Sequence, residues 1–164
     1  MKQAVIATAL QDAFWQAGER LLLHHTNPWE LDEALTDWGY TLGPCEAQDL
    51  LGLDKVLARL PNRPVPILPR MVAEGRMGKI GGVGFYRYPG GGGAVIDPLI
   101  EDLIREEAWF AKVGRTELGD DELVTAMNAA LSRARDDLVA TGHRTEDIDA
   151  ALADAVHFPP DRRL

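Results

Sequence analysis

Apolar residues recur at intervals of three and four along most of this chain, the spacing that places them on one face of a helix. Ile6, Leu10, Ala13, Phe14, Ala17 and Leu21 follow this rhythm and predict a one-faced helix over residues 4–24. Asn27 then reads as a cap, with Pro28 at the first helical position and Glu30 three residues on, where its carboxylate could reach back to free backbone donors. Gly39 closes this second helix. Pro44 opens another, expected to run to about Leu60, and Pro66 or Pro69 starts one that stops at Gly75. From Gly78 to Gly93 the glycines are too dense for a helix and predict a loop with a short extended piece at Phe85–Tyr88. Asp97-Pro98 begins a helix to about Lys112, Gly119 or Asp120 one through Ala140 that Gly142 ends, and Thr145 caps a last one ended by Phe158-Pro159-Pro160. Strands find almost no support, so the fold class is all-α.

A shift of 117 positions lays the first two helices on the last two without a gap. Ile6 falls on Leu123, Leu10 on Met127, Phe14 on Leu131 and Leu21 on Leu138. Leu31-Asp32 falls on Ile148-Asp149, and Ala34-Leu35 on Ala151-Leu152. The equal loop length and the repeated aspartate point to duplication of a helix pair, two copies of which would pack about a pseudo-two-fold axis. The expected organisation is a first repeat over 1–88, a flexible glycine-rich linker over 89–96 and a second repeat over 97–164, forming one compact unit.

Composition narrows the function classes. Apolar content of 46% with 26% charge is ordinary for a globular domain. A net charge of −9 and a pI near 4.8 argue against nucleic acid or an anionic membrane as partner, since both require a basic face. No leader is recognised at Met1 and no apolar run is long enough to span a bilayer. With Cys45 alone, an intrachain disulfide is impossible, and a cytoplasmic, reducing location is the expectation.

The glycine-rich loop invites a nucleotide reading, which its spacing rejects. Around Gly78–Gly84 there is no G-x-G-x-x-G between a strand and a helix, and Ala73 and Ile80 stand where a phosphate loop needs a glycine and a hydroxyl. Arg70, Arg76, Lys79 and Arg87 surround the glycines, and Arg76 and Lys79 are the candidates for contact with a phosphate such as those of coenzyme A. The alternative is that these charges solubilise the loop or pair with acids such as Glu74 and Asp49. No metal site is expected: His24 and His25 point about 100° apart on a helix, and His143 and His157 lack partners at ligand spacing. Cys45 follows Pro44 at a helix start, where the dipole would lower its pKa, but no base accompanies it and a small core residue is the better reading. Trp15, Trp29, Trp38 and Trp109 lie in helices and read as core or interface. No self-sufficient catalytic set is visible.

Two phrases carry a resemblance. One is Gly39, then Gly43-Pro44, Asp49 and Leu51-Gly52-Leu53-Asp54. The other is Gly75-Arg76-Met77-Gly78-Lys79 followed by Gly82-Val83-Gly84-Phe85-Tyr86-Arg87-Tyr88. Together they resemble the C-terminal helical domain of the 3-hydroxyacyl-CoA dehydrogenases, and the downstream helices with Phe158-Pro159-Pro160 resemble the second repeat of multifunctional fatty-acid oxidation enzymes. The resemblance implies structural roles for Gly43, Pro44, Asp49, Gly75, Gly78, Gly84, Phe85 and Tyr86. It also implies that NAD and the catalytic His–Glu pair belong to a Rossmann domain, here a separately encoded partner, while the helical domain closes over the acyl group or self-associates. An asparagine that reaches the active site in that family falls at Thr8, whose hydroxyl is shorter and cannot reproduce an amide that donates from one atom and accepts on another. The family's second repeat also continues past Phe-Pro-Pro into a glycine pair, where this chain reads Asp161-Arg162-Arg163-Leu164. Two functions follow as expectations: the acyl side of an NAD-dependent dehydrogenase assembled with a partner, or a non-catalytic module that binds acyl-CoA or a protein.

Overall fold

A computed structural model describes residues 2–164; Met1, from which the first repeat is counted, lies outside the described residues. Eight α-helices are formed among them: α1 (Lys2–His24), α2 (Pro28–Trp38), α3 (Pro44–Leu51), α4 (Leu53–Ala58), α5 (Ile67–Ala73), α6 (Pro98–Phe110), α7 (Asp120–Ala140) and α8 (Thr145–Val156). No named strand is present among the described residues. The fold is all-α.

Helix α1 is the spine. It packs against α7 and α8 along its length and touches α2, α3, α5 and α6, while α2 also lies on α7. The stripe of Ile6, Leu10, Phe14 and Leu21 is buried, as are Leu123, Met127, Leu131 and Leu138 of α7. Both helix pairs thus turn their periodic face into one shared core. Phe14 stacks on Tyr40 at 5.4 Å, Phe158 meets Tyr40 edge-on at 5.5 Å, and the Tyr40 hydroxyl donates to Asn128 Oδ1 at 2.6 Å. Gln11 on α1 donates to the Ala155 carbonyl of α8 at 2.9 Å.

Helix ends follow local chemistry with instructive exceptions. Asn27 Oδ1 accepts from the Glu30 amide at 2.9 Å, but its own amide donates to Glu101 Oε2 at 2.8 Å, so the cap also ties α2 to α6. Asn27→Ala is therefore expected to cost about 1–2 kcal/mol, at the upper end for a lost cap, measured by urea denaturation. The helix expected from Pro44 to Leu60 is broken at Gly52, which takes φ 111° and ψ 121°, and α4 restarts as the Leu53 amide donates to the Met77 carbonyl at 2.8 Å. Pro66, not Pro69, stands at the start of α5. Arg144 occupies the cap position of α8 and Thr145 is its first residue, while His157 ends it in the left-handed region at φ 62°. Trp109 is 75% exposed rather than packed inside, beside an equally outward Phe110.

The glycine run expected to be a flexible linker closes a short 3₁₀ turn, Pro89–Gly91, with Gly90 and Gly91 at positive φ. Just past it, Val95 exchanges two backbone hydrogen bonds with Arg87, at 2.8 and 2.9 Å. That bridge joins the run to the loop before it.

Candidate functional site

The two sequence phrases meet around two buried aspartates. Asp32, on α2, is turned toward the start of α3. Its Oδ1 accepts from the Cys45 amide at 2.9 Å and its Oδ2 from the Glu46 amide at 3.0 Å, which satisfies free donors of α3 and places negative charge at its N-terminus. Asp49, one helix on, receives the loop. Its Oδ1 accepts from the Phe85 amide at 2.8 Å, and its Oδ2 from the Tyr86 amide at 3.0 Å and the Tyr88 hydroxyl at 2.6 Å. Tyr86 joins the two, since its hydroxyl donates to Asp32 Oδ2 at 2.8 Å and lies 3.2 Å from the Pro28 carbonyl oxygen.

Close approach explains the glycines. A Cβ on Gly43 would collide with the Asp32 carboxylate, and one on Gly84 with the carboxylate of Asp49. At Gly78 it would overlap the Asp49 backbone carbonyl, on a residue already at φ 114°. Pro44 supplies the first residue of α3, where its missing amide hydrogen leaves nothing unpaired. Gly75 turns the chain out of α5 at φ 85°. These positions form a lock that fastens the loop to α2 and α3.

Arg76 completes the lock from outside. Its Nη1 donates to the Gly84 carbonyl at 2.9 Å and its Nη2 to Asp97 Oδ2 at 2.9 Å. Asp97 in turn caps α6 through the Leu99 amide at 3.1 Å. The guanidinium considered for a phosphate is thus engaged inside the protein. The Lys79 ammonium lies 5.9 Å from the centre of the Tyr88 ring, half-buried. Arg70 spans Glu74, Glu106 and Glu107, holding α5 to α6.

Electrostatics mark the aspartates as unusual. Among the described residues, neither has a cation within salt-bridge distance. Burial pushes Asp32 up to about 7, against the opposing pull of the Cys45 amide, the Tyr86 hydroxyl and the Glu46 amide. Burial likewise pushes Asp49 up to about 6, opposed by Tyr88 and the Phe85 and Tyr86 amides. The Cys45 thiol is held well above its usual range by burial and by the nearby carboxylates. A dipole-lowered cysteine is the opposite of what this environment makes, because the charge of Asp32 already occupies the helix start.

Thr8 lies on the exposed surface of α1 and is not part of the lock. One residue on, Ala9 borders a cleft of about 460 Å³ between α1 and α7, with Ala13, Ala130, Ala134, Arg20 and Arg133 among its lining. No group of three His, Cys, Asp or Glu side chains among the described residues is placed to hold a metal ion. Among the described residues, no helix is long and apolar enough to cross a membrane. Asp32, Tyr88 and Asp97 were not singled out as site residues from sequence. A hint of Asp32 lay in its repetition as Asp149, and of Asp97 in the Asp-Pro step.

Residues 6–88, the span that contains both aspartates and the glycines of the lock, match the 3-hydroxyacyl-CoA dehydrogenase, C-terminal domain family. The chain belongs to that family. Similar proteins include the peroxisomal bifunctional enzyme of Danio rerio, 27% identical over 87% of this chain and 23% of that protein. The fatty acid oxidation complex subunit alpha of Acinetobacter baumannii (strain AYE) is 27% identical over 81% of this chain and 20% of that protein. The dehydrogenase part of multifunctional enzyme 1 from C. elegans has a similar fold, with a TM-score of 0.77 at 19% identity over 96% of this chain and 37% of that one. This 3-hydroxyacyl-CoA dehydrogenase C-terminal domain therefore spans about a fifth of the length of these curated relatives.

Proposed function

We propose that this chain supplies the acyl-side wall and association surface for NAD-dependent oxidation of a 3-hydroxyacyl-CoA in fatty-acid β-oxidation. In this reading a Rossmann domain on a separate partner contributes NAD and the catalytic His–Glu pair. The observation that carries it is the intact lock of Asp32, Asp49, Gly43, Gly78 and Gly84 within the family span, which keeps the helical domain in its folded form. The domain's part is positioning: a rigid helical wall excludes water and orders the acyl chain against the reacting carbon. Two helix-pair repeats, 1–88 and 97–164 joined through 89–96, would satisfy each other's apolar faces, reducing the need for self-association.

The test mixes the purified chain with candidate NAD-domain proteins and follows NADH formation from 3-hydroxyacyl-CoA. Complex formation with turnover supports the reading; absence of both with every candidate counts against it. Thr8→Asn, which restores the longer amide, is expected to raise kcat by about tenfold, the value of roughly one hydrogen bond made in the transition state. Threonine in place of the family's asparagine at position 8 also favours a second reading, a non-catalytic module that binds acyl-CoA or a protein. Acyl-CoA binding by calorimetry with no turnover in any mixture and no response to Thr8→Asn would support that one.

A further inference from the structure

The hydrogen-bond geometry around Tyr86 offers its hydroxyl two acceptors. One is Asp32 Oδ2 at 2.8 Å and the other the Pro28 carbonyl oxygen at 3.2 Å. We propose that Asp32, Tyr86 and the Pro28 carbonyl form a two-position proton latch, in which mild acid moves the Tyr86 hydroxyl from the carboxylate to the carbonyl while α3 stays docked.

Both positions are complete. With Asp32 ionised, its oxygens accept from the Cys45 amide, the Glu46 amide and the Tyr86 hydroxyl. A buried carboxyl that takes up a proton normally gains a donor with nowhere to point, at a cost comparable to any unpaired buried group. Here a proton from solvent added to Oδ2 is donated to Tyr86 Oη, and the Tyr86 hydrogen turns to Pro28 O. One O–H bond is formed on Asp32, none is broken, and every buried donor retains an acceptor. Oδ1 continues to hold the Cys45 amide and the protonated Oδ2 keeps a lone pair for the Glu46 amide, so the start of α3 is not released.

The surroundings favour uptake. From α3, the groups facing Asp32 are Cys45, Glu46 and Asp49, and from the loop Tyr86 and Tyr88, all neutral or negative. From α1, Glu19 is already paired with Arg63 at 2.8 Å. Arg76 is held by Asp97 and Gly84, and Lys79 lies against Tyr88. Asp32 and Asp49 are both pushed upward by burial, to about 7 and about 6. Because the native value exceeds that of the unfolded chain, near 4, the folded protein holds the extra proton. The stabilisation from this group is full below about pH 4 and is lost as pH rises through about 7.

Aspartate-carboxyl and tyrosine-ring carbon NMR of the full chain between pH 4.5 and 8 tests this, with D32N to assign the Asp32 signal. The expected result is reversible titration of Asp32 in the folded protein, well above an ordinary aspartate, with the Tyr86 ζ-carbon moving at the same midpoint. Between about pH 5 and 7 the folding equilibrium constant of the wild type should fall by roughly fiftyfold in all relative to D32N, most steeply at the acid end. The latch is overturned if Asp32 stays ionised until the chain unfolds in acid, or if it titrates while Tyr86 does not move. It is also overturned if D32N keeps the wild-type pH slope. Should D32N fail to fold, the paired titration in the wild type decides alone.

Discussion

Asp49→Ala is expected to lower stability by roughly 3–5 kcal/mol, because three buried donors lose their acceptor at once. The Phe85 and Tyr86 amides and the Tyr88 hydroxyl all end on this one carboxylate. Each unsatisfied donor costs about 1–3 kcal/mol, and the Tyr88 hydroxyl has the better chance of finding water, so the sum falls short of three full penalties. Asp49→Asn retains one acceptor but turns an amide toward a donor, and about half of the loss is expected. Urea denaturation of the three proteins at pH 8, where Asp49 is ionised, measures it; a shift of midpoint at constant slope reports stability alone. Loss below about 1 kcal/mol for Asp49→Ala would mean that the loop is not held by this residue.

The helices were legible in the sequence where one face decides them. Ile6, Leu10 and Phe14 repeat at helical spacing, and Asn27-Pro28 and Asp97-Pro98 announce starts that local chemistry enforces. Gly52 was not legible as a break inside a helix expected to reach Leu60: its φ of 111° ends α3, and the restart at α4 leans on the bond from Leu53 to Met77, a distant part of the chain. The same distance hid the reason for the motif. Gly78 and Gly84 could be seen as unusual, but the carboxylate and carbonyl they leave room for belong to Asp49, some thirty residues earlier. For the same reason the sequence leaves Arg76 open between a phosphate contact and pairing with acids such as Glu74 and Asp49: its partner, Asp97, lies across the glycine run. Trp109, expected in core or interface, faces outward, and helical position alone does not separate those two roles. Family membership does not depend on these contacts, because the family matches residues 6–88 as a span.

Gly78→Ala should destabilise by roughly 2–5 kcal/mol, and Gly82→Ala separates the two reasons why. Both glycines have positive φ, 114° and 86°, so an alanine at either pays the conformational penalty of about 1–2 kcal/mol. Around Gly82 a Cβ meets nothing within 4 Å, and that penalty is the whole expected effect. At Gly78 the Cβ would overlap the Asp49 carbonyl, the same oxygen that accepts from the Lys79 amide at 3.0 Å. Backbone cannot rotate aside as a side chain can, so the loop must move off α3 and adds about 1–3 kcal/mol of overpacking. Thermal or urea denaturation of the pair should therefore place Gly78→Ala well below Gly82→Ala. Equal losses would assign the glycines to turn conformation alone and remove close approach to Asp49 as the reason for the motif.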